Sequence, residues 1–494
     1  MKKLLKIYRY LLYIMPLMLV FSYFPLIKLG ENETMYFELS LPLIWLAAFD
    51  LVGLILLVLK YRREILTKIF GSILWWLFPL FVTFSAIWSL NPLRGFLTVA
   101  VMWALFFAVL LFYNLRENLD AKFWRNFWRW FFGSALFACL WCVVQCVLDV
   151  CGVGQEMTLL CDGCVYQMFG FPHPNGFAIE PQFMGNLLIA PRLVSGYFGF
   201  KNKKYWWLFA IFAATLFLTM SRGAIYACVV GLCFLFTFMY FRAKKAERRK
   251  TCFSILKSIG VLILAFVFTL NLQGILAAVS PTADTYMDGV SKVVNQLSLG
   301  LIKTRGNSGE PEETSTGSVE NTVITEGNNA PAENEPVENS GDGGANSTDA
   351  IDSGEAPSRS IYDGYVEEST GTRVRLFNAA LTIWRKDFKT ATIGVGIGGA
   401  GQALYDNNLS PAPREIVQNE YASLLLETGV IGVSLFAILI IMVVRVFLKS
   451  PHPGLLLALL VSYGVSLIFF SGLTNALQIV LIPGLLASLV EVLN

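Results

Sequence analysis

Apolar runs of roughly 18 to 22 residues recur along this chain, and a helix of that length crosses a hydrocarbon core of about 30 Å. A helix is also the only open structure that satisfies its own backbone in such a medium. The runs predict spans at about 10–29, 41–59, 69–89, 95–113, 127–149, 181–199, 205–220, 223–241, 254–273, 424–446, 454–472 and 475–491. Basic residues fall in every second connection. They are Lys2, Lys3, Lys6 and Arg9; Lys60, Arg62, Arg63 and Lys68; Arg116, Lys122 and Arg125; Lys201, Lys203 and Lys204; the run from Arg242 to Lys250; and Arg445 with Lys449. The short connections between them are nearly free of Lys and Arg. This alternation is the positive-inside pattern, and it predicts that both termini are cytoplasmic. The first run follows a basic start, but it is long and no small-residue cleavage site follows it. It therefore counts as a span and not as a cleavable signal.

With 55% apolar and 15% charged residues among 494, the chain cannot be an ordinary soluble globule, which carries about a quarter charged residues. The net charge of +3 matters only through its distribution. The expected fold is an all-α membrane protein of about twelve transmembrane helices with one large extracytoplasmic loop between helices 9 and 10. Its parts are helices 1–9 in 1–273, the loop in 274–423 and helices 10–12 in 424–494. Residues 307–360 hold no aromatic side chain and one basic residue, Arg359, so they bury too little apolar surface to offset ordering and are expected to be disordered. Order returns in RVRLFNAALTIWRKDF, 373–388, where Leu376, Phe377, Ala380, Leu381 and Trp384 share one helical face. That helix is expected along the outer interface. A second outer loop, about Cys151 to Glu180, is rich in Gly and Pro. Cys139, Cys142, Cys146, Cys228 and Cys233 lie in spans as small apolar residues. Cys161 and Cys164 fit a disulfide, with Cys151 as a competing partner, better than two free thiols or half a zinc site.

Several polar groups stand where apolar surroundings make them costly. Arg222, in Ser221-Arg222-Gly223, sits at an outer turn between two apolar runs, opposite the face that the positive-inside bias favours. It either snorkels or meets an anion. Arg373 and Arg375 open the interfacial helix on the same side, and guanidiniums gathered there suit a phosphate or pyrophosphate; contact with lipid headgroups is the alternative. Gly394-Val395-Gly396-Ile397-Gly398-Gly399 lacks the strand and helix of a nucleotide-binding loop and reads as a tight extracellular turn. Gln418, Glu420 and Glu427 belong to a polar run leading into a span, as chemistry or as capping and packing. Asp50 and Arg192 lie inside spans, as functional groups or parts of a buried pair. His173 and Glu180 lie in FGFPHPNGFAIEPQ as a possible acceptor or base, or as surface residues, while His452 is cytoplasmic.

The order Ser-Arg-Gly, apolar span, long outer loop, Arg375 before a helix, GVGIGG and then QNEYASLLLETGVIG resembles the O-antigen ligase and polymerase superfamily, over roughly residues 165–445. The QNEY…ETGVIG stretch is the most specific part, and FPHPNGFA is similar to the family's Gly-x-Phe-x-x-Pro-Asn region. The resemblance implies a GT-C-like bundle in the bacterial inner membrane. It further implies an inverting glycosyltransferase that needs no metal, nucleotide or other cofactor. The donor would be a glycan on undecaprenyl pyrophosphate at the outer leaflet, and the acceptor lipid A core, another lipid-linked repeat, protein or wall polymer. Arg222, Arg375 and Arg373 would stabilise charge growing on the leaving pyrophosphate. One departure stands out: ligase members carry a His, taken as the acceptor's base, where this chain has Gln418. Gln can orient a hydroxyl but cannot take its proton. Glu420, Glu427 or His173 then supplies the base, or leaving-group stabilisation carries the reaction, or catalysis has been lost. Two other readings stay open: an inactive relative acting in envelope assembly, and a flippase of lipid-linked sugar. A flippase needs buried polar residues along a path and helices broken at mid-depth, and few such residues exist beyond Asp50 and Arg192. No nucleic-acid partner is expected.

Overall fold

A computed structural model of the chain describes residues 1–22, 25–32, 35–61, 73–151, 174–178, 180–279, 365–410, 412–413, 416–474 and 476–488. The expectations for His173, for the Cys161–Cys164 pair and for disorder in 307–360 lie outside these residues. What is described is mostly helical. The amino-terminal part runs through Lys2–Val20 (α1), Leu41–Tyr61 (α2), Leu74–Ser85 (α3), Pro92–Leu115 (α4) and Ala121–Val150 (α5). Pro181–Gly199 (α6), Tyr205–Leu218 (α7), Arg222–Arg242 (α8) and Arg248–Val279 (α9) follow. From residue 365 onward come Tyr365–Trp384 (α10), Phe388–Ile393 (α11), Ala400–Asp406 (α12), Glu420–Leu448 (α13), Pro453–Ser466 (α14) and Gln478–Ala487 (α15).

Six of the described helices are long and apolar enough to cross a membrane: α2, α4, α5, α8, α9 and α13. Helices α3, α7, α14 and α15 are apolar but shorter, and α1 and α6 each run for 19 residues. Two of the expected spans end early. The run 10–29 leaves the helix after Val20 and enters an antiparallel hairpin, Pro25–Asn32 (β1) with Met35–Ser40 (β2), in a chain whose described residues are otherwise mostly helical. Apolar and polar residues alternate from Met35 to Ser40, a period of two that suits a strand. The run 454–472 leaves the helix after Ser466, and 467–473 forms an irregular segment that proves central to the site.

Helix α6 is buried on nearly every face, which explains why its sequence shows no polar stripe. It packs on α7, α8 and α14, and a serine–amide bond from Ser466 to buried Asn186 ties α14 to it. Upstream, Asn175 and Gly176 form a buried turn locked to α5, because Gln145 donates to Asn175 Oδ1 at 2.8 Å and accepts from the Gly176 amide at 2.8 Å.

The helix expected over 373–388 differs from that range at both ends. It begins at Tyr365 and stops at Trp384, because Asp387 caps a new helix: its Oδ1 accepts from the Thr390 amide at 2.8 Å. Exposed Asp387 is held below the usual carboxylate range by these Thr390 bonds. The apolar face of α10, with Leu376, Ala379, Ala380 and Ile383, packs on Ala403 and Leu404 of α12 and on Leu426 of α13.

Helix α13 is broken at Gly429, whose φ of 62° and ψ of −170° leave the helical region. The break frees the carbonyls of Leu426 and Glu427, which would otherwise serve the next turn. The glycine-rich segment takes them: Val395 N–H donates to Leu426 O at 3.0 Å and Gly396 N–H to Glu427 O at 2.9 Å. The same segment is pinned to the α3–α4 connection, where Ser89 Oγ donates to Ile397 O at 2.7 Å and Leu90 N–H to Val395 O at 3.2 Å. It is a tight turn, and it is buried. A Cβ on Gly429 would lie 2.3 Å from Thr392 O, so only glycine fits both the angle and the space. Gly429→Ala should therefore destabilise the protein by at least about 2 kcal/mol, from left-handed strain plus the clash. Thermal unfolding in detergent would show this, and an unchanged midpoint would contradict the account of the break.

Candidate functional site

The irregular segment 467–473 organises the site because its backbone is not consumed by a helix. The Leu467 carbonyl accepts from Glu420 N–H at 2.9 Å, and the Ile468 carbonyl from Asn419 Nδ2 at 2.9 Å. The Phe469 carbonyl accepts from Gln182 Nε2 at 3.0 Å. In the other direction, the Gly472 and Leu473 amides donate to Glu420 Oε2 at 2.8 and 3.2 Å. One stretch of chain thus joins the first turn of α6 to the first turn of α13. Helix α8 meets it as well: Gly223 packs against Phe469, where a Cβ would come within 2.7 Å of the ring-bearing carbon, and the Tyr226 and Phe469 rings lie 6.2 Å apart. Arg222 opens α8 beside this contact and lies within electrostatic reach of Tyr226.

Arg373 enters from α10. It is half-buried, and its Nε donates to Gln418 Oε1 at 3.1 Å while Nη2 reaches Gln182 Oε1 at 3.4 Å. Two of its donors thus go to neutral amide oxygens, which fix the direction of the guanidinium without cancelling its charge. Gln182 is in turn held by Phe469 O, so the chain of contacts runs from α10 through α6 to the 467–473 segment. Gln418 has a left-handed backbone, φ 54°, which costs a non-glycine residue about 1–2 kcal/mol. A hydrogen bond to a charged group contributes about 1.5–3 kcal/mol, enough to hold it there. Strain of this kind concentrates where a side chain must be aimed.

The other residues fall in different places. Arg375, two positions along α10, is exposed on a different face from Arg373, so the helix turns only one of the two guanidiniums toward Gln418. Glu180 is the N-cap residue of α6, its side chain takes no capping bond, and it lies near Arg373. Desolvation of its carboxyl raises its pKa although the residue keeps solvent access, and Arg373 offsets part of the rise. Glu420 is committed to the Gly472 and Leu473 amides. Glu427 is committed to the glycine-rich turn: its Oε1 accepts from Ala400 N–H at 3.3 Å, and Arg94 of α4 lies within electrostatic reach. Asp50 and Arg192 are buried in separate parts of the bundle. Arg192 lies over the rings of Phe209 and Phe217 at 5.6 and 5.8 Å, beside Cys228.

Sequence reasoning missed Gln182 and the 467–473 segment. Gln182 did carry a signal, as a polar side chain beside the helix-starting Pro181 in a mainly apolar span. Segment 467–473 carried none, since LIFFSGL is apolar enough to pass for helix. If Glu420 clamps this segment, Glu420→Ala should cost about 1–3 kcal/mol by orphaning two buried amides. Glu420→Gln, which keeps an amide oxygen as acceptor, should cost less. Equal thermal midpoints for Glu420→Ala and the unmodified protein would rule the clamp out.

No curated protein matches this sequence. Residues 207–437 match a family model described as O-antigen ligase. The matched stretch is a little under half of the chain and runs from α7 into α13. It contains Arg222, Arg373, Gln418, Glu420 and the glycine-rich turn, while Glu180 and Gln182 lie outside it. That match supports the likeness to the O-antigen ligase and polymerase superfamily over residues 207–437.

Proposed function

We propose that this protein is a membrane glycosyltransferase of surface polysaccharide assembly. On this reading it transfers or polymerises a glycan from an undecaprenyl pyrophosphate donor at the outer face of the bacterial cytoplasmic membrane. The family match supports the ligase- or polymerase-like class. The observation that carries the finer reading is Arg373, a half-buried guanidinium aimed by two neutral amides on the shared 467–473 scaffold that also packs against the start of α8, where Arg222 sits. A guanidinium grips a diphosphate with paired donors. As the anomeric carbon leaves the pyrophosphate oxygen, negative charge grows on the phosphates, and fixed positive charge there lowers the barrier without reorganisation.

In this arrangement all twelve apolar segments cross the membrane and both termini are cytoplasmic. Their inner ends carry the ion pairs Arg9–Asp120 and Lys60–Glu117, at 3.2 and 3.0 Å. On the same side His452 bonds Tyr197 at 3.0 Å, and burial with nearby Lys201 keeps its pKa low. The reaction inverts the anomeric centre and uses no metal, as an acceptor oxygen displaces the pyrophosphate in a single step. The acceptor is a glycan, lipid or protein hydroxyl.

Purified protein given a lipid-linked oligosaccharide donor and acceptor should yield a lengthened or transferred glycan. Arg373→Ala and Arg222→Ala should each slow transfer by about 100-fold or more, the cost of removing a donor aimed at transition-state charge. Arg375→Ala, exposed on another face of α10, should cost far less. Loss of activity in Arg375→Ala equal to that in Arg373→Ala would contradict this assignment, and movement of donor across vesicles without transfer would support a flippase instead.

A further inference from the structure

Gln418, the side chain that meets Arg373, cannot take a proton, so the acceptor's proton needs another destination. Among the described residues, three carboxylates lie around the site: Glu420, Glu427 and Glu180. Glu420 Oε2 receives two backbone N–H groups, from Gly472 and Leu473. Glu427 receives the Ala400 amide and faces Arg94. Both are held as structural acceptors, and a proton on either would weaken the bonds that shape the scaffold. Glu180 differs. It occupies the N-cap of α6, where a side-chain oxygen ordinarily accepts from the first turn of the helix, and its side chain makes no such bond. It keeps solvent access at the mouth of the site, two residues from Gln182 and beside Arg373.

Building on the transfer reading above, we propose that Glu180 is the group that takes the proton from the acceptor hydroxyl. The acceptor oxygen forms its bond to the anomeric carbon as the bond from that carbon to the pyrophosphate oxygen breaks. The electron pair leaves with the pyrophosphate, held by Arg373 and Arg222, and the acceptor's proton passes to a Glu180 carboxylate oxygen and then to water. Arg373 thereby faces both halves of the reaction. Its positive charge sits beside the carboxylate that must stay ionised until the acceptor arrives, and beside the leaving group that becomes more negative. Among the described residues Arg373, from α10, is the charged group that acts on Glu180. Because desolvation, partly offset by Arg373, raises the carboxyl from its ordinary value, turnover should fall on the acidic side as Glu180 becomes protonated.

Purified Glu180→Gln and Glu180→Asp, assayed for transfer across pH and for binding of undecaprenyl pyrophosphate alone, test this assignment. Glu180→Gln should bind the probe within about threefold of the unmodified protein yet turn over at least about 100-fold more slowly, the range for loss of a general base. Its residual rate should lose the acidic limb of the pH profile, and Glu180→Asp should recover part of the rate. Near-normal turnover with an unchanged profile in Glu180→Gln would overturn the assignment. So would a parallel loss of probe binding and turnover, which would make Glu180 a positioning residue for Arg373. If the unmodified protein bound the probe but transferred no glycan, the transfer reading itself would fall, and this assignment with it.

Discussion

The contact on which the site depends is the bond from Arg373 to the side-chain oxygen of Gln418, backed by Gln182. A cation at a membrane boundary ordinarily escapes to headgroups or water along its flexible stem. Here three elements prevent that. Helix α10 is anchored through Leu376, Ala380 and Ile383, Gln418 holds a left-handed backbone that aims its amide, and Gln182 is fixed by the Phe469 carbonyl. Amides suit this work better than carboxylates. They set the orientation of the guanidinium, while the Glu180 carboxylate lies within its electrostatic reach.

The bundle supplies that geometry through its irregular pieces. Regular helices satisfy their own backbones and so have little to offer a neighbour. Where α13 breaks at Gly429, two carbonyls become acceptors for the glycine-rich turn, which is itself tied to Ser89 and Leu90. Where α14 ends at Ser466, the 467–473 backbone becomes a strip of donors and acceptors for Gln182, Asn419 and Glu420. The two carboxylates that the sequence presents most conspicuously, Glu420 and Glu427, stabilise these irregular pieces. Glu180, by contrast, stands at the N-cap of α6 without a side-chain capping bond.

Much of this organisation could be read from periodicity and charge. The limits 41–59 and 181–199 lie close to α2 and α6, and the apolar face of Leu376 and Ala380 is the buried one. Hydropathy fails at the ends of spans because it weighs transfer into lipid and is blind to hydrogen bonding. The run up to Leu29 is apolar enough to extend a helix yet pairs in a hairpin with 35–40, and LIFFSGL leaves α14 to serve its neighbours. The choice between Arg373 and Arg375 was likewise hidden, because it depends on how α10 is rotated against α12 and α13. That rotation is set by residues distant in sequence, such as Leu404 and Leu426.

The most direct measurement is a structure of the protein in lipid with undecaprenyl pyrophosphate bound. The account predicts the diphosphate between the guanidiniums of Arg373 and Arg222, at the outer end of α6, with the 467–473 segment unchanged. A diphosphate held elsewhere, by Arg375 and headgroups or near Arg192 within the bundle, with Arg373 still on Gln418 and Gln182, would contradict it.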